Sequence, residues 1–211
     1  MRGIIIAGGE IGNSDRCRAI IKNDDMIICA DSGYYHVAAM GVEPHAVLGD
    51  FDSADYDEVK CNTKLLFPSG KDETDTELAV RYALEQGCDK LVFLGLMGGR
   101  VDHALVNVFI LADMLNRGID AYIFDGTSYI YITDSRIDVK GKLGDLLSVI
   151  PITPKVTGIT NGGLEYPLND FDMEMGFSRG VSNVFVQEDA FVEIKSGMVL
   201  VVTTALENMV E

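Results

Sequence analysis

The chain has 211 residues, is 47% hydrophobic and carries a formal charge of −16. That length suits one large domain or two small ones, with enough apolar material for a real core. The negative balance excludes binding modes in which Lys and Arg cover phosphate, both on non-specific nucleic acid and on anionic membranes; ATP stays admissible if a metal ion supplies local positive charge.

The first 125 residues alternate short apolar runs with helix-like segments. Runs at 4–6, 27–30, 46–48, 65–67, 91–96 and 121–124 are continuously apolar. That pattern suits strands covered on both faces of a parallel sheet. Helical patterns fall at 15–22, 34–40, 76–86 and 104–117, and Gly41, Gly87 and Gly118 close the last three. Glycine is a stop signal because it enters the left-handed conformation without strain. The alternation predicts a doubly wound α/β domain, a mostly parallel sheet flanked by helices. After Gly126 the texture changes. Stretches such as SYIYITD, RIDVK, DLLSVIPI, NVFVQ, AFVEIK and MVLVVTT read as strands, separated by turn material and without helical period. The expected division is an α/β domain over 1–126 and a smaller all-β sandwich over 127–211.

Cys17, Cys29, Cys61 and Cys88 are widely spaced with no CxxC pair. They are expected to be reduced thiols of a cytosolic protein rather than a zinc site. The N-terminal MRGIIIAGGE has only a brief apolar run, and no segment approaches the ~20 apolar residues of a membrane span. The expectation is a soluble cytoplasmic protein.

Five segments directly follow predicted strands: 7–9 (AGG), 30–31 (AD), 49–50 (GD), 68–72 (PSGKD) and 96–100 (LMGGR). If the strands are parallel, all five share the carboxyl edge of the sheet, where open α/β sheets bind ligands. Six aspartates lie in or beside them: Asp31, Asp50, Asp52, Asp72, Asp75 and Asp102. Clustered carboxylates repel, and a divalent cation is the usual remedy. Asp50 and Asp52 are one residue apart and can face one ion, or can be an Asp-rich turn that caps a helix. An EF-hand is excluded, since its sixth and twelfth positions counted from Asp50 are Asp55 and Cys61. Thr74-Asp75-Thr76-Glu77 fits a capping box, while Gly70-Lys71 before it offers a flexible approach and a cation. Gly98-Gly99 lets backbone amides approach a ligand, and Arg100 can grip phosphate in bidentate fashion. Asp102 is open to three roles: helix cap, support to a ligand, or acid–base group. His103 at a helix start is as readily a cap or packing residue as a catalyst.

In order, ADSG (30–33), LGDFDS (48–53), KDETD (71–75), LGLMGGRVDH (94–103), GDLLSVIP (144–151), GGLEYPL (162–168) and GVSN (180–183) resemble the thiamine pyrophosphokinase family over nearly the whole chain. The resemblance implies transfer of a pyrophosphoryl group from ATP to the hydroxyl of thiamine, giving thiamine diphosphate and AMP. It implies an α/β domain that binds ATP and Mg²⁺, a β-sandwich that binds thiamine, and a homodimer with the active site between subunits. Asp50, Asp52 and Asp75 would hold Mg²⁺. Asp31, Lys71, Asp72, Arg100, Asp102 and His103 would line the ATP and transfer site, and Ser182 and Asn183 would lie near thiamine. Two departures stand out. Some members stack the thiamine pyrimidine on Trp, which this chain lacks, and His103 stands where others carry Gln. Lys71 and Arg100 would stabilise charge in transfer, and Asp72, Asp102 or a metal-bound water would take the alcohol's proton. The rivals are pyrophosphoryl transfer to another small alcohol such as a pterin, a DxD glycosyltransferase, and a non-catalytic nucleotide sensor.

Overall fold

A computed structural model describes residues 1–206. The chain forms two compact units, Met1–Gly126 and a second that begins at Thr127. The first unit runs β1 (Arg2–Ile6), α1 (Ser14–Ile20), β2 (Met26–Ala30), α2 (Gly33–Ala39), β3 (Ala46–Gly49), β4 (Lys64–Leu66), α3 (Asp75–Glu85), β5 (Lys90–Leu94), α4 (Val101–Asn116) and β6 (Asp120–Phe124). Its strands lie in the order β4-β3-β2-β1-β5-β6, and each neighbouring pair is parallel. Strands β1 to β4 march outward on one side; β5 and β6 then return to the other side of β1. The direction of winding therefore reverses between β1 and β5, which opens a crevice beyond their carboxyl ends.

The apolar runs are buried as their continuity implies. Ile4, Ile5, Ile6, Ile28, Val47, Phe93 and Leu94 are fully enclosed or nearly so. Helix α3 packs on β1, β2 and β3, α2 on β1 and β2, and α4 on β6. The capping box at α3 forms in both directions: Glu77 N–H donates to Thr74 Oγ1 at 3.2 Å, and Thr74 N–H donates to Glu77 Oε2 at 2.7 Å. Gly41, Gly87 and Gly118 all take positive φ at the helix ends. Helix α4 begins at Val101 rather than 104, with Arg100 as its N-cap residue. Asp102 and His103 consequently sit in its first turn.

The second unit contains β7 (Ser128–Thr133), β8 (Arg136–Lys140), β9 (Leu146–Pro151), β10 (Lys155–Gly162), β11 (Phe171–Glu174), β12 (Asn183–Val184), β13 (Asp189–Glu193) and β14 (Val199–Thr204). Two antiparallel layers form, β12-β9-β14-β7 and β11-β10-β13-β8. Inward residues of both, including Val139, Leu147, Val149, Val156, Ile159, Met173, Val192 and Val201, share one core. This is a sandwich. Strands β10 and β11 were not among the sequence-level strands. KVTGITNG is broken by glycine and polar residues, and its register shifts between Val156 and Ile159 in a bulge. Among the described residues, no helix is long and apolar enough to cross a membrane.

One ion pair ties the start of the parallel sheet to the α1–β2 turn. Arg2 Nε donates to Asp25 Oδ1 at 2.8 Å and Nη2 to Oδ2 at 2.6 Å; Lys22 N–H also donates to Oδ2 at 2.6 Å. Asp25 is only 4% exposed. Burial alone would raise its carboxyl, but the Arg2 guanidinium and the Lys22 amide outweigh that and hold it below the ordinary aspartate value. A depressed carboxylate stabilises the fold fully above its unfolded pKa of about 3.9, and the contribution fades as pH falls through the lower folded value. Asp25→Ala is expected to cost about 3 kcal/mol at neutral pH. Urea denaturation should show the gap between variant and parent closing in acid below that range.

Candidate active site

The glycines around the crevice are there because backbones touch. A Cβ on Gly33 would stand 2.0 Å from the Ile6 carbonyl oxygen, and one on Gly95 would stand 2.3 Å from that of Ala7. Gly95 also adopts φ +65. The loops after β1 and β5 are zipped together by Ala7 N–H to Leu94 O (2.9 Å), Gly9 N–H to Gly95 O (2.7 Å) and Glu10 N–H to Met97 O (2.6 Å). The result is a crevice walled largely by backbone, of about 470 Å³. Each strand end that the sequence placed on this edge contributes: Gly8 and Gly9 after β1, Asp31 and Ser32 after β2, Asp50 and Asp52 after β3, Lys71 and Asp75 after β4, and Gly98, Gly99 and Arg100 after β5.

Carboxylate oxygens of Asp31, Asp50 and Asp52 lie within 4.8 Å of one another. Two residues that bring them together sit in the left-handed region, Asp31 at φ 45 and Phe51 at φ 57. Non-glycine residues adopt that region at a cost, and such strain gathers at functional sites. Asp52 N–H donates to Asp50 Oδ1 at 3.2 Å, closing the turn between them. Asp31 is 6% exposed, and its Oδ1 is buried with no hydrogen-bond partner. Burial raises the Asp31 carboxyl, and the charges on Asp75 and Asp52 raise it further. A buried acceptor without a donor, facing two more carboxylates, fits a hard divalent cation. An all-oxygen set is the donor chemistry for Mg²⁺ or Mn²⁺.

All three residues expected to hold the metal, Asp50, Asp52 and Asp75, line this crevice. Asp31 joins Asp50 and Asp52, while Asp75 takes an ion pair from Lys71, Nζ to Oδ1 at 2.8 Å. Asp75 lines the same crevice. Asp72 and Asp102 are exposed and are not among its lining residues. Arg100 holds Asp102 through Nη2 to Oδ2 at 2.6 Å, and the His103 amide donates to Asp102 Oδ1 at 3.0 Å. The Arg100 guanidinium above all pulls Asp102 down to about 2. So ionised a carboxylate is a weak proton acceptor at neutral pH. His103 lines the crevice beside Arg100.

Sequence reasoning missed Asn107 and His36. Asn107 Nδ2 donates to Leu96 O at 3.0 Å, tying α4 to the β5 loop. Its position one helical turn past His103 was the available signal. His36 Nε2 donates to Gly9 O at 2.7 Å. His45, by contrast, accepts from Ile27 N–H through Nδ1 and serves the sheet edge.

In the second unit, the Asn183 amide makes three hydrogen bonds. Its Oδ1 accepts from Tyr166 N–H at 3.0 Å and Val184 N–H at 2.9 Å, and Nδ2 donates to Tyr166 O at 2.7 Å. Asn183 is buried, so it acts as a clamp on the Tyr166 backbone, and the Tyr166 side of the clamp is 62% exposed. Ser182 takes φ 58, and its amide donates to Ser148 Oγ at 3.0 Å.

A doubly wound sheet with acids, cations and glycines at its switch point, in a chain that continues into a β-sandwich, is the build of a nucleotide-dependent transferase. The model of the thiamin pyrophosphokinase catalytic domain matches residues 17–123, and that of the thiamin pyrophosphokinase vitamin B1 binding domain matches 134–199. The chain belongs to the thiamin pyrophosphokinase family. It is 26% identical to the thiamine pyrophosphokinase of Bacillus subtilis (strain 168) over 205 residues, covering 94% of this chain and 96% of that one. It is 28% identical to thiamin pyrophosphokinase 1 of Caenorhabditis elegans over 177 residues, covering 79% and 72%. The crystal structure of the Bacillus subtilis thiamine pyrophosphokinase superposes with a TM-score of 0.87 at 24% identity, covering 98% of this chain and all of that one. A thiamin pyrophosphokinase family protein from Enterococcus faecalis gives 0.83 at 25%, covering 97% and 99%.

Proposed function

We propose that this chain moves a pyrophosphoryl group from ATP to the hydroxyl of thiamine, yielding thiamine diphosphate and AMP, with Mg²⁺ held by Asp31, Asp50 and Asp52. The observation that carries the reading is the crevice itself. Three convergent carboxylates, Lys71 and Arg100 share one glycine-walled cleft in a chain that matches both domains of the family. When bound, the cation would neutralise phosphate charge and align donor with acceptor.

The protein's own groups do the rest by position. Lys71 and Arg100 supply positive charge from opposite sides of the fold's switch point, after β4 and after β5. Each is held by an aspartate, Asp75 and Asp102 respectively. Polyphosphate would compete for both cations, and the aspartates keep them aimed until it arrives. Phosphoryl-type transfer asks mainly for alignment and charge neutralisation, so the demand on a base is small. Of the residues expected to take the proton, Asp72 and Asp102 both lie outside the lining of the cleft.

AMP release should be measured with ATP, Mg²⁺ and thiamine. The parent chain is expected to turn over, while Asp50→Ala and Asp52→Ala should fall by 100-fold or more, on the order of the loss of a major charge-stabilising group, with their melting temperatures retained. Near-normal rates in both variants would rule out this cation site. A pterin acceptor would show as AMP release with a hydroxymethyl pterin and none with thiamine.

For the acceptor ring, the proposal places thiamine against Tyr166. Aromatic faces hold flat cationic rings, and a backbone clamped by Asn183 presents this one at low entropic cost. Tyr166→Ala should raise the KM for thiamine about tenfold, the size of a lost stacking contact, and leave the KM for ATP within twofold. Equal effects on both substrates would count against the assignment.

The homodimer expected from the resemblance is proposed as well. Along α4, Val101, Leu105, Val106 and Phe109 are all roughly half exposed or more. An apolar face of that kind is what a second copy would cover. Sedimentation of Phe109→Glu should show a shift from dimer toward monomer; an unchanged dimer would place the contact elsewhere.

A further inference from the structure

The nucleotide loop after β1 has four backbone polar groups committed. Ala7, Gly9 and Glu10 give their amides to the β5 loop, as described above. The fourth is the Gly9 carbonyl, and its partner comes from outside that zipper. His36, in the last turn of α2, donates to it from Nε2 at 2.7 Å. A carbonyl oxygen only accepts, so Nε2 carries the hydrogen. Helix α2 is itself pressed against the same loop. A Cβ on Gly8 would stand 2.0 Å from Ser32 Oγ, and the Gly33 backbone abuts Ile6 and Ala7. The amide of Gly8 is taken up by none of these bonds, and Gly8 lines the crevice.

This matters for an anionic ligand. A carbonyl oxygen turned into the crevice would repel phosphate; an amide N–H turned there attracts it. The Gly8–Gly9 segment lacks side chains to fix which way its peptides face, and the Gly9–Glu10 peptide is instead held from both sides, its N–H on Met97 O and its carbonyl on His36 Nε2. We propose that His36 is a positioning residue for the donor nucleotide: together with the Glu10–Met97 bond of the same peptide, it holds the Gly9 carbonyl against α2 and so keeps that oxygen from facing the polyphosphate. The role rests on ATP being the donor, as proposed above. His36 stays outside the reacting atoms and outside the cleft lining. It does not depend on titration, because both the neutral Nε2–H form and the imidazolium donate at this position.

The test compares two substitutions of similar size. His36→Met fills the space without a donor. His36→Gln keeps an amide N–H near the place of Nε2. Steady-state AMP formation, with ATP and thiamine varied in turn, should give H36M a KM for ATP about tenfold above the parent, the loss expected when a half-buried acceptor goes unpaired. Its KM for thiamine should stay within twofold and its kcat within threefold. H36Q should recover the ATP value to within threefold. Melting temperatures of both variants are read alongside. An H36M enzyme with the parent's KM for ATP overturns the proposal. So do equal losses in H36M and H36Q, or a rise in both substrate KM values, since either marks a packing role only. If H36M fails to fold, H36Q decides: its KM for ATP must match the parent. A parent chain that releases no AMP from ATP sinks the donor assignment itself, and is told apart by that control.

Discussion

The fold turns on how closely it can bring like charges together. Two unit charges about 5 Å apart in a half-solvated site repel by roughly 3 kcal/mol. Asp31, Asp50 and Asp52 meet at that range on the ends of neighbouring strands β2 and β3, set there by the parallel register that pairs Ala30 with Leu48. The repulsion is met in part by rigidity. Asp31 N–H donates to Leu48 O at 2.8 Å, and Tyr34 N–H donates back to Asp31 O at 3.1 Å. The backbone at Asp31 is thereby held in a left-handed turn. What remains is a cluster of like charges of the kind that a divalent cation relieves. The fourth acid, Asp75, is offset in part by its ion pair with Lys71 and still adds to the charge that raises the Asp31 carboxyl.

Backbone contact does for shape what the carboxylates do for charge. At the switch point, β1, α2 and the β5 loop approach so closely that Gly9, Gly33 and Gly95 have no room for a Cβ. A cleft lined by peptide groups offers fixed dipoles that cost little to organise when charge shifts during transfer. The same closeness brings His36 of α2 within hydrogen-bond reach of the Gly9 carbonyl, beside the three amide bonds that tie this loop to the one after β5.

The β-sandwich follows a different logic. Its residues near the family's acceptor motif serve first to hold each other. Asn183 is spent on the Tyr166 backbone, and Ser182 adopts a strained turn fastened to Ser148. In a chain without Trp, the Asn183 clamp fixes the backbone of an exposed aromatic residue, Tyr166. Both family domains match in order along the chain, which disfavours the glycosyltransferase and nucleotide-sensor readings.

Local chemistry determined much of this from sequence alone. Continuous apolar runs meant buried parallel strands, glycines ended α2, α3 and α4, and Thr74 with Glu77 capped α3. Those features depend on neighbours a few residues apart, so periodicity and residue type suffice to read them. Parallel strands then required five separate loops to share one edge. Tertiary structure alone decided which aspartates meet. Asp75 and Asp31 are equivalent as residue types, and each has a buried oxygen without a hydrogen-bond donor, but Asp75 lies 2.8 Å from Lys71 while Asp31 groups with Asp50 and Asp52. It alone disclosed β10, whose bulge breaks the alternation that marks a strand. It alone joined His36 to Gly9 across 27 positions, and Asn183 to Tyr166 across 17. A side chain's partner is set by where distant backbones pass, and no local pattern records that.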